Sequence, residues 1–307
     1  MSKITAELVK DLRERTGAGM MDCKKALVEV GGDSSAAIDW LRTKGLASAA
    51  KKAGRLASDG LVGVVAGERV AGVVEVNSET DFVARNEQFQ DFVDALGKIM
   101  IEHTDNLPSL LDAAYPSTAR TVKEQLNHMI ATVGENMIVR RADKLVVGEG
   151  MVAVYVHNAL RPGLGRIGVA VALESRSTEP QLTKLGKDLA MHIAASNPLV
   201  VHRDDLTAVL IAKERAVQVA QAKETGKADN VIEKMVEGRM RKYYEEVCLL
   251  DQAFVMDAEF KVAQVVESVA KELSKPVKVA GFIRYQLGEG IANKEESPAS
   301  DAAVVAG

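Results

Sequence analysis

The sequence changes from strand to helix within the stretch Val73-Val74-Glu75-Val76-Asn77-Ser78-Glu79-Thr80-Asp81-Phe82-Val83-Ala84. Its first residues are β-branched, as is typical of a strand, and apolar residues at helical spacing follow it, namely Phe89, Phe92, Val93, Leu96 and Ile99. The stretch is therefore predicted to be a strand-to-helix junction. Such a junction can present Asp81 and Phe82 side by side. The alternative, common for residues of these types, is that Asp81 caps the helix and Phe82 closes the core over it.

The composition narrows the class of protein. The chain has 307 residues, enough for two or three compact units with a core that needs no covalent staples. Its two cysteines, Cys23 and Cys248, lie far apart in sequence, which favours a reducing compartment. No apolar run approaches the ~20 residues that span a bilayer, so we expect a cytoplasmic protein without a membrane partner. The net charge is -4 and the basic residues are scattered, which argues against direct nucleic-acid binding.

Residues 1–50 are predicted to form a three-helix domain, because three apolar faces are separated by glycine turns at 16–19 and 31–33. Met20 and Met21 follow the first turn directly. Two adjacent long side chains cannot both face inward, so core packing is expected to account for one of them and the other is expected to offer an adaptable contact surface. Residues 51–60 are basic and small, which predicts a linker.

The order of elements then occurs twice. Residues 61–136 contain a predicted hairpin followed by helices, and residues 137–203 contain a second hairpin followed by a helix. We interpret these segments as two related α+β subdomains, called N and C. Residues 248–291 are expected to return to subdomain C with one helix and a closing strand.

Residues 204–247 have a different pattern. Two long helical segments flank a turn at Gly226-Lys227-Ala228-Asp229, which predicts an antiparallel helical hairpin that projects from the body. Residues 292–307 are predicted to form a disordered tail. The fold class is therefore α+β.

The motifs of enzymes and cofactor-binding proteins are missing or out of context. Gly163-Leu164-Gly165-Arg166-Ile167-Gly168 matches a dinucleotide fingerprint, but a predicted strand follows it where the fingerprint requires a helix. We interpret these glycines as the tip of the second hairpin. The five histidines show no ligand spacing, and His192 is expected to be a satisfied packing residue. The sequence predicts no enzymatic activity, no cofactor and no metal.

Five ordered motifs between residue 1 and about 291 nevertheless resemble one known family. They are Leu12 to Leu27, Glu75-Val76-Asn77 leading into Thr80-Asp81-Phe82-Val83-Ala84, Arg166-Ile167-Gly168-Val169, Glu237-Gly238-Arg239-Met240, and Gly281-Phe282-Ile283-Arg284 with Gly288-Glu289-Gly290. The chain is similar in these motifs to translation elongation factor Ts, the guanine-nucleotide exchange factor for elongation factor Tu.

The resemblance implies a ubiquitin-associated-like (UBA-like) three-helix domain, a core of two subdomains and a coiled-coil hairpin. It implies that Thr80, Asp81, Phe82 and Val83 act in displacing Mg²⁺ from elongation factor Tu, the expected partner in its GDP-bound and nucleotide-free states. It further implies partner contacts at Arg13, Met20, Met21 and His157. A homodimer of the complex is left open.

Two alternatives of other classes remain at this point. One is an RNA-binding module of the translation apparatus, for which the scattered charge is unfavourable. The other is an enzyme that uses Asp81 as a base, which requires a concave pocket with convergent polar groups around that carboxylate.

Overall fold

The computed structural model describes residues 4–291. The predicted tail, residues 292–307, lies outside the described part. The helices in chain order are α1 (Ala6–Thr16), α2 (Met20–Glu29), α3 (Ser34–Lys52), α4 (Asp81–Ala84), α5 (Glu87–His103), α6 (Leu107–Asp112), α7 (Val122–Val133), α8 (Pro180–Ser196), α9 (Ala208–Lys223), α10 (Asp229–Val247) and α11 (Val262–Leu273). The strands are β1 (Asp59–Ala66), β2 (Val70–Ser78), β3 (Met137–Val146), β4 (Gly150–His157), β5 (Leu164–Gly165), β6 (Ile167–Glu174), β7 (Ala253–Phe254), β8 (Asp257–Lys261) and β9 (Lys278–Gln286).

Two antiparallel sheets pack against each other at the centre, and helices cover their outer faces. The first sheet has the strand order β3-β2-β1-β5 and the second has β4-β6-β9. Alternate residues of β1 point to opposite faces, so that Val62 and Val64 pack between the sheets while Leu61 packs with the helices α4 to α7. The outer face of the second sheet is covered by α8 and α11. The mixture of helix and sheet confirms the α+β class.

The two predicted hairpins are confirmed, but the boundary predicted after residue 136 is wrong. β1 pairs with β2 and β4 pairs with β6, as expected. β3 pairs with β2 from Met137 to Val146, so it belongs to the first sheet and not to subdomain C. The sequence concealed this edge strand because its centre carries Arg140, Arg141, Asp143 and Lys144, which obscure the alternation of apolar residues.

Gly163 lies at the tip of the second hairpin, as predicted, whereas Gly165 lies in β5 and Gly168 in β6, where the hairpin meets the first sheet. Gly165 pairs with Val62 in β1, which makes the short β5 a fourth strand of the first sheet. A Cβ atom at Gly168 would lie 2.6 Å from the side chains of Val62 and Val64. Glycine is therefore required because the two sheets approach closely at this point.

The three amino-terminal helices pack around a small core of their own that includes Leu12, Cys23 and Leu27. The linker predicted at 51–60 is shorter, since α3 continues to Lys52 and β1 begins at Asp59. Ala49 at the end of α3 is buried in the core of the first sheet, and Arg42 forms an ion pair with Glu124 of α7. The end of α3 thus packs directly on the core, which a flexible tether would not do.

The helices α9 and α10 pack against each other, with Ala222, Ile232, Val236 and Met240 buried between them in a cluster separate from the central core. The turn between them, residues 224–228, overlaps the turn predicted at 226–229. Within residues 4–291, no helix is long and apolar enough to cross a membrane.

Candidate protein-interaction site

The loop that enters α4 is held by a carboxylate from a distant part of the chain. Glu135 accepts hydrogen bonds from the amide nitrogen of Thr80 at 3.0 Å and from its hydroxyl at 2.8 Å. Ser78 donates its hydroxyl to the carbonyl oxygen of Thr80 at 2.9 Å. Bonds that involve an ionised acceptor are stronger than neutral ones, so these contacts fix the backbone just before α4.

A second carboxylate, that of Glu79 in the loop itself, joins this loop to residue 136. Glu79 accepts a hydrogen bond from the amide nitrogen of Asn136 at 2.6 Å and forms an ion pair with Arg55 at 3.3 Å. Asn136 donates its side-chain amide to the carbonyl oxygen of Arg55 at 2.8 Å. The loops 78–80 and 135–136 are therefore cross-linked, and the segment between α3 and β1 is tied to both through Arg55.

The helix α4 is a single turn that divides the predicted site into an outer and an inner half. Phe82 is 78% exposed, whereas Val83 is 3% exposed and belongs to the core of the first sheet. After α4, Asn86 caps α5 by accepting from the amides of Gln88 and Phe89. The turn is fixed at both ends, so Phe82 is held outward by its surroundings. The arrangement in which Phe82 closes the core is excluded.

Asp81 lies at the surface beside Phe82. Its carboxylate forms an ion pair with Arg85 one turn later, at 3.0 Å, and both side chains remain largely exposed. Exposed pairs of this kind contribute between zero and about 1 kcal/mol, so a competing ligand can open them easily. Thr80 is half-buried and its hydroxyl is already used by Glu135. Of the four predicted residues, Phe82 and Asp81 are accessible, whereas Val83 cannot touch a partner from its buried position.

The predicted residues of the amino-terminal helices are all exposed. Arg13 lies on the outer side of α1. Met20 is 51% exposed and Met21 is 75% exposed at the start of α2, so both methionines face solvent. Cys23, Ala26 and Leu27 fill the inner face of α2 instead. The expectation that core packing accounts for one methionine is therefore not met.

His157 ends β4 and is exposed, with its Nδ1 atom 3.1 Å from the hydroxyl of Tyr155. The long tip that follows is anchored by an ion pair between Arg161 and Asp91 of α5 at 2.9 Å. No hydrogen bond or ion pair within residues 4–291 joins His157, the methionines and Phe82. They are three separate positions on the surface, carried by different elements.

The buried histidine of α8, His192, serves packing. His192 is fully buried, lies 2.8 Å from the side-chain oxygen of Gln252 and accepts from the amide of Val255 at 3.2 Å, and burial lowers its pKa.

In the described part of the chain, no cluster of three or more His, Cys, Asp and Glu side chains could hold a metal ion. Two cavities, of about 530 and 920 Å³, are lined by residues of α8 and by residues around α5 and α6. Neither includes Asp81, so neither offers the pocket that a base at this position would need.

Sequence reasoning missed the supports of the site. Glu135 and Asn136 lie more than 50 residues from the loop that they hold. A local signal does exist, because Gly134 ends α7 in a left-handed conformation and redirects the chain there. That signal predicts the turn but not what its side chains contact.

A firmly held turn that exposes an aromatic ring, in an α+β protein, is a candidate surface for binding another macromolecule. Comparisons with known proteins agree on one family. Residues 79–289 match the family model for elongation factor TS. The chain is 54% identical over 307 residues to elongation factor Ts of Paramagnetospirillum magneticum, covering 100% of this chain and 98% of that protein. It is 52% identical over 306 residues to elongation factor Ts of Parvibaculum lavamentivorans, covering 100% and 99%.

The chain belongs to the elongation factor Ts family, and its role is therefore in the elongation phase of protein synthesis.

Proposed function

We propose that this protein is a guanine-nucleotide exchange factor that binds GDP-loaded elongation factor Tu and promotes release of GDP by disturbing its Mg²⁺ site. The observation that carries the proposal is the exposure of Phe82 on a turn whose backbone is held by Glu135 and Glu79. A free aromatic ring exposes apolar surface to water, and burial in a partner's groove removes it. Family membership supplies the identity of the partner.

Phe82 inserts into an apolar groove of the partner, and Asp81 then lies next to the water and side-chain network around Mg²⁺. A Mg²⁺ ion demands near-ideal octahedral geometry and is held through waters and nucleotide phosphates. A modest displacement of its surroundings therefore loosens the nucleotide. The ion pair between Arg85 and Asp81 is exposed and weak. It therefore opens when the partner offers Asp81 a stronger interaction.

The thermodynamics requires reciprocity. If binding of this protein weakens GDP binding by some factor, GDP weakens binding of this protein by the same factor. An incoming nucleotide therefore expels the exchange factor, and turnover needs no covalent step.

The remaining contacts follow the family resemblance. The helices α1 to α3 act as a UBA-like domain that touches the nucleotide-binding domain of the partner through Arg13, Met20 and Met21. His157 touches another partner domain. The helices α9 and α10 act as a projecting coiled-coil hairpin, and a homodimer of the complex can form. The exposure of Arg13, Met20, Met21 and His157 supports the contacts assigned to these four side chains.

The test is release of a fluorescent GDP analogue from elongation factor Tu, followed by stopped flow with increasing amounts of this protein. We expect the release rate to rise and then saturate, and added Mg²⁺ to oppose the effect. A release rate independent of this protein would contradict the proposal.

A further inference from the structure

Glu75 is a fully buried carboxylate in β2, six residues before the exposed Asp81. Its oxygens accept from Asn77 Nδ2 at 3.2 Å, Arg140 Nη1 at 3.0 Å, Arg141 Nε at 2.6 Å and the amide of Gly288 at 2.8 Å. A buried charge is tolerated only when it is paired and hydrogen-bonded, and these four donors meet that requirement.

A β-bulge brings the two arginines together. Glu75 pairs with Arg141 and Val76 pairs with Val139, so Arg140 is an extra residue in β3. Consecutive residues of a regular strand point to opposite faces, whereas a bulge re-aims one of them. Both guanidinium groups consequently reach the same carboxylate.

The fourth donor comes from the carboxyl-terminal end of the described chain. The turn after β9, residues 287–291, places the amide of Gly288 on Glu75, which lies 213 positions earlier. Gly288 has a φ of +72°, and a Cβ atom there would lie 2.8 Å from the carbonyl oxygen of Ser58. Glu289 of the same turn forms ion pairs with Arg141 and Arg284, both at 3.3 Å. We name residues 287–291 the carboxyl-terminal clamp.

The clamp lies beside the end of β2, which leads into residues 78–84, the segment that carries Phe82. Ser58 precedes β1, whose first residue, Asp59, pairs with Ser78 at the end of β2. Asn77 donates its one amide group both to Glu75 and to the carbonyl oxygen of Asp59. Ser78 continues the chain of bonds to the carbonyl oxygen of Thr80.

The side-chain oxygen of Asn77 adds a second sign of constraint. It is buried and has no hydrogen-bond partner among residues 4–291. Leaving a buried acceptor unpaired is unfavourable. The two hydrogen bonds that the amide nitrogen of Asn77 donates, to Glu75 and to Asp59, offset this cost. Asn77 is held in this orientation by Glu75 and Asp59.

We infer that the carboxyl-terminal clamp, through Glu75, fixes the base of the segment that carries Phe82, and that Glu75 is a positioning residue for nucleotide exchange. The inference rests on the proposed function. Two of the sequence motifs, Glu75-Val76-Asn77 and Gly288-Glu289-Gly290, contact each other through the hydrogen bond between Glu75 and the amide of Gly288.

Two variants test the inference from opposite sides of the contact. Glu75→Gln keeps the volume of the side chain but removes its charge, and Gly288→Ala introduces a Cβ at a position with a positive φ and no space. The matched control is Glu149→Gln, since Glu149 forms an exposed pair with Arg176. If Glu75→Gln fails to fold, Gly288→Ala decides the question.

Amide hydrogen exchange of residues 78–84 is measured first, in the free protein. We expect it to accelerate roughly tenfold in both variants and to stay unchanged in the control, because local opening becomes easier when the clamp is broken. Exchange at the same rate as in the unmodified protein overturns the inference, whatever the partner does.

GDP release from elongation factor Tu is measured second, over a range of protein concentrations. A positioning role predicts a maximal release rate roughly tenfold lower, with the half-saturating concentration changed less than about threefold. A purely structural role reduces the folded fraction, so it shifts the half-saturating concentration and leaves the maximal rate intact. That second pattern overturns the positioning role.

The two proposals can fail separately. If Phe82→Ala slows GDP release while the clamp variants release GDP normally, the clamp inference is wrong and the proposed function stands. If Phe82→Ala has no effect on release, the proposed function is wrong, and hydrogen exchange in the free protein still decides whether the clamp fixes residues 78–84.

Discussion

Glu135 binds Thr80 through two hydrogen bonds, one from the backbone amide and one from the hydroxyl. The hydroxyl of an N-cap threonine normally accepts from its own helix. Here it donates to a neighbouring loop, and α4 has no side-chain cap. The position of α4, and hence of Phe82, therefore depends on the loop after α7 more than on local helix signals.

We predict that Glu135→Ala lowers the free energy of unfolding by about 1–3 kcal/mol, because two part-buried donors of Thr80 lose their acceptor. It should also slow GDP release, since Phe82 is no longer held outward. Urea unfolding and stopped-flow release measure the two effects. Glu135→Gln, which keeps one acceptor oxygen, should lie between the variant and the unmodified protein. Equal stability of all three would show that the contact does not hold the turn.

Variants of Arg85 and Asp81 distinguish the ion pair between them from the proposed contact of Asp81 with the partner. Arg85→Ala should change the free energy of unfolding by less than about 1 kcal/mol and should leave GDP release as fast or make it faster, because Asp81 is freed. Asp81→Asn should slow GDP release. If the two variants slow release equally, the ion pair itself and not the free carboxylate is required.

Met21 is predicted to act in binding only. Met21→Ala should weaken the complex with elongation factor Tu by about 1–2 kcal/mol while the unfolding free energy changes by less than about 0.5 kcal/mol. Leu12→Ala is the contrasting variant, since Leu12 is fully buried and its truncation should cost about 2–5 kcal/mol of stability. Calorimetric titration and thermal melting distinguish them. Unchanged affinity for Met21→Ala would remove α2 from the interface.

The pKa of His128 leads to a prediction of how the free energy of unfolding changes in acid. It lies in α7 against Gly17, and burial together with the charge of Arg120 lowers its pKa to about 4. In the unfolded chain the pKa is about 6.5. The unfolded state therefore binds the proton more readily, and the contribution of His128 to stability, present above pH 6.5, is lost as the pH falls toward 4.

The measurement is the unfolding free energy at pH 7 and pH 5 for the unmodified protein and for His128→Gln. We expect the acid-induced loss to be smaller in the variant by roughly 1 kcal/mol, a figure reduced for the exposed part of the ring. Identical losses of unfolding free energy in the two proteins would show that folding does not lower the pKa of His128.

The sequence was sufficient where local periodicity dominates. Both central hairpins and the long helices follow from side-chain patterns that span a few residues. Those patterns left open whether Phe82 faces outward or closes the core. The sequence was insufficient where contacts between distant residues determine the structure. β3 was missed because its charges are satisfied within the fold, by Glu75 and by Asp105 for example. The linker was predicted too long because nothing local shows that α3 packs on α7.

The candidate site shows the same division. The segment Thr80 to Val83 could be selected from its motif, but only the fold reveals that Val83 is buried and that Thr80 is bound to Glu135. Likewise, two adjacent methionines predict one exposed side chain, whereas both are exposed because Cys23, Ala26 and Leu27 already fill the small core beneath α2.

Phe82→Ala removes the exposed ring that is proposed to insert into elongation factor Tu. The ring makes no contribution to the core, so the free energy of unfolding should change by less than about 0.5 kcal/mol. The complex with elongation factor Tu should lose about 2–4 kcal/mol through the missing aromatic anchor. Phe260→Ala, which removes another exposed phenylalanine from β8, is the matched control and should leave the complex unchanged.

The decisive measurement is stopped-flow release of a fluorescent GDP analogue from elongation factor Tu by the unmodified protein, Phe82→Ala and Phe260→Ala. We predict fast release with the unmodified protein and the control, and release slowed at least tenfold with Phe82→Ala. Release by Phe82→Ala at the rate of the unmodified protein would contradict the proposed role of Phe82.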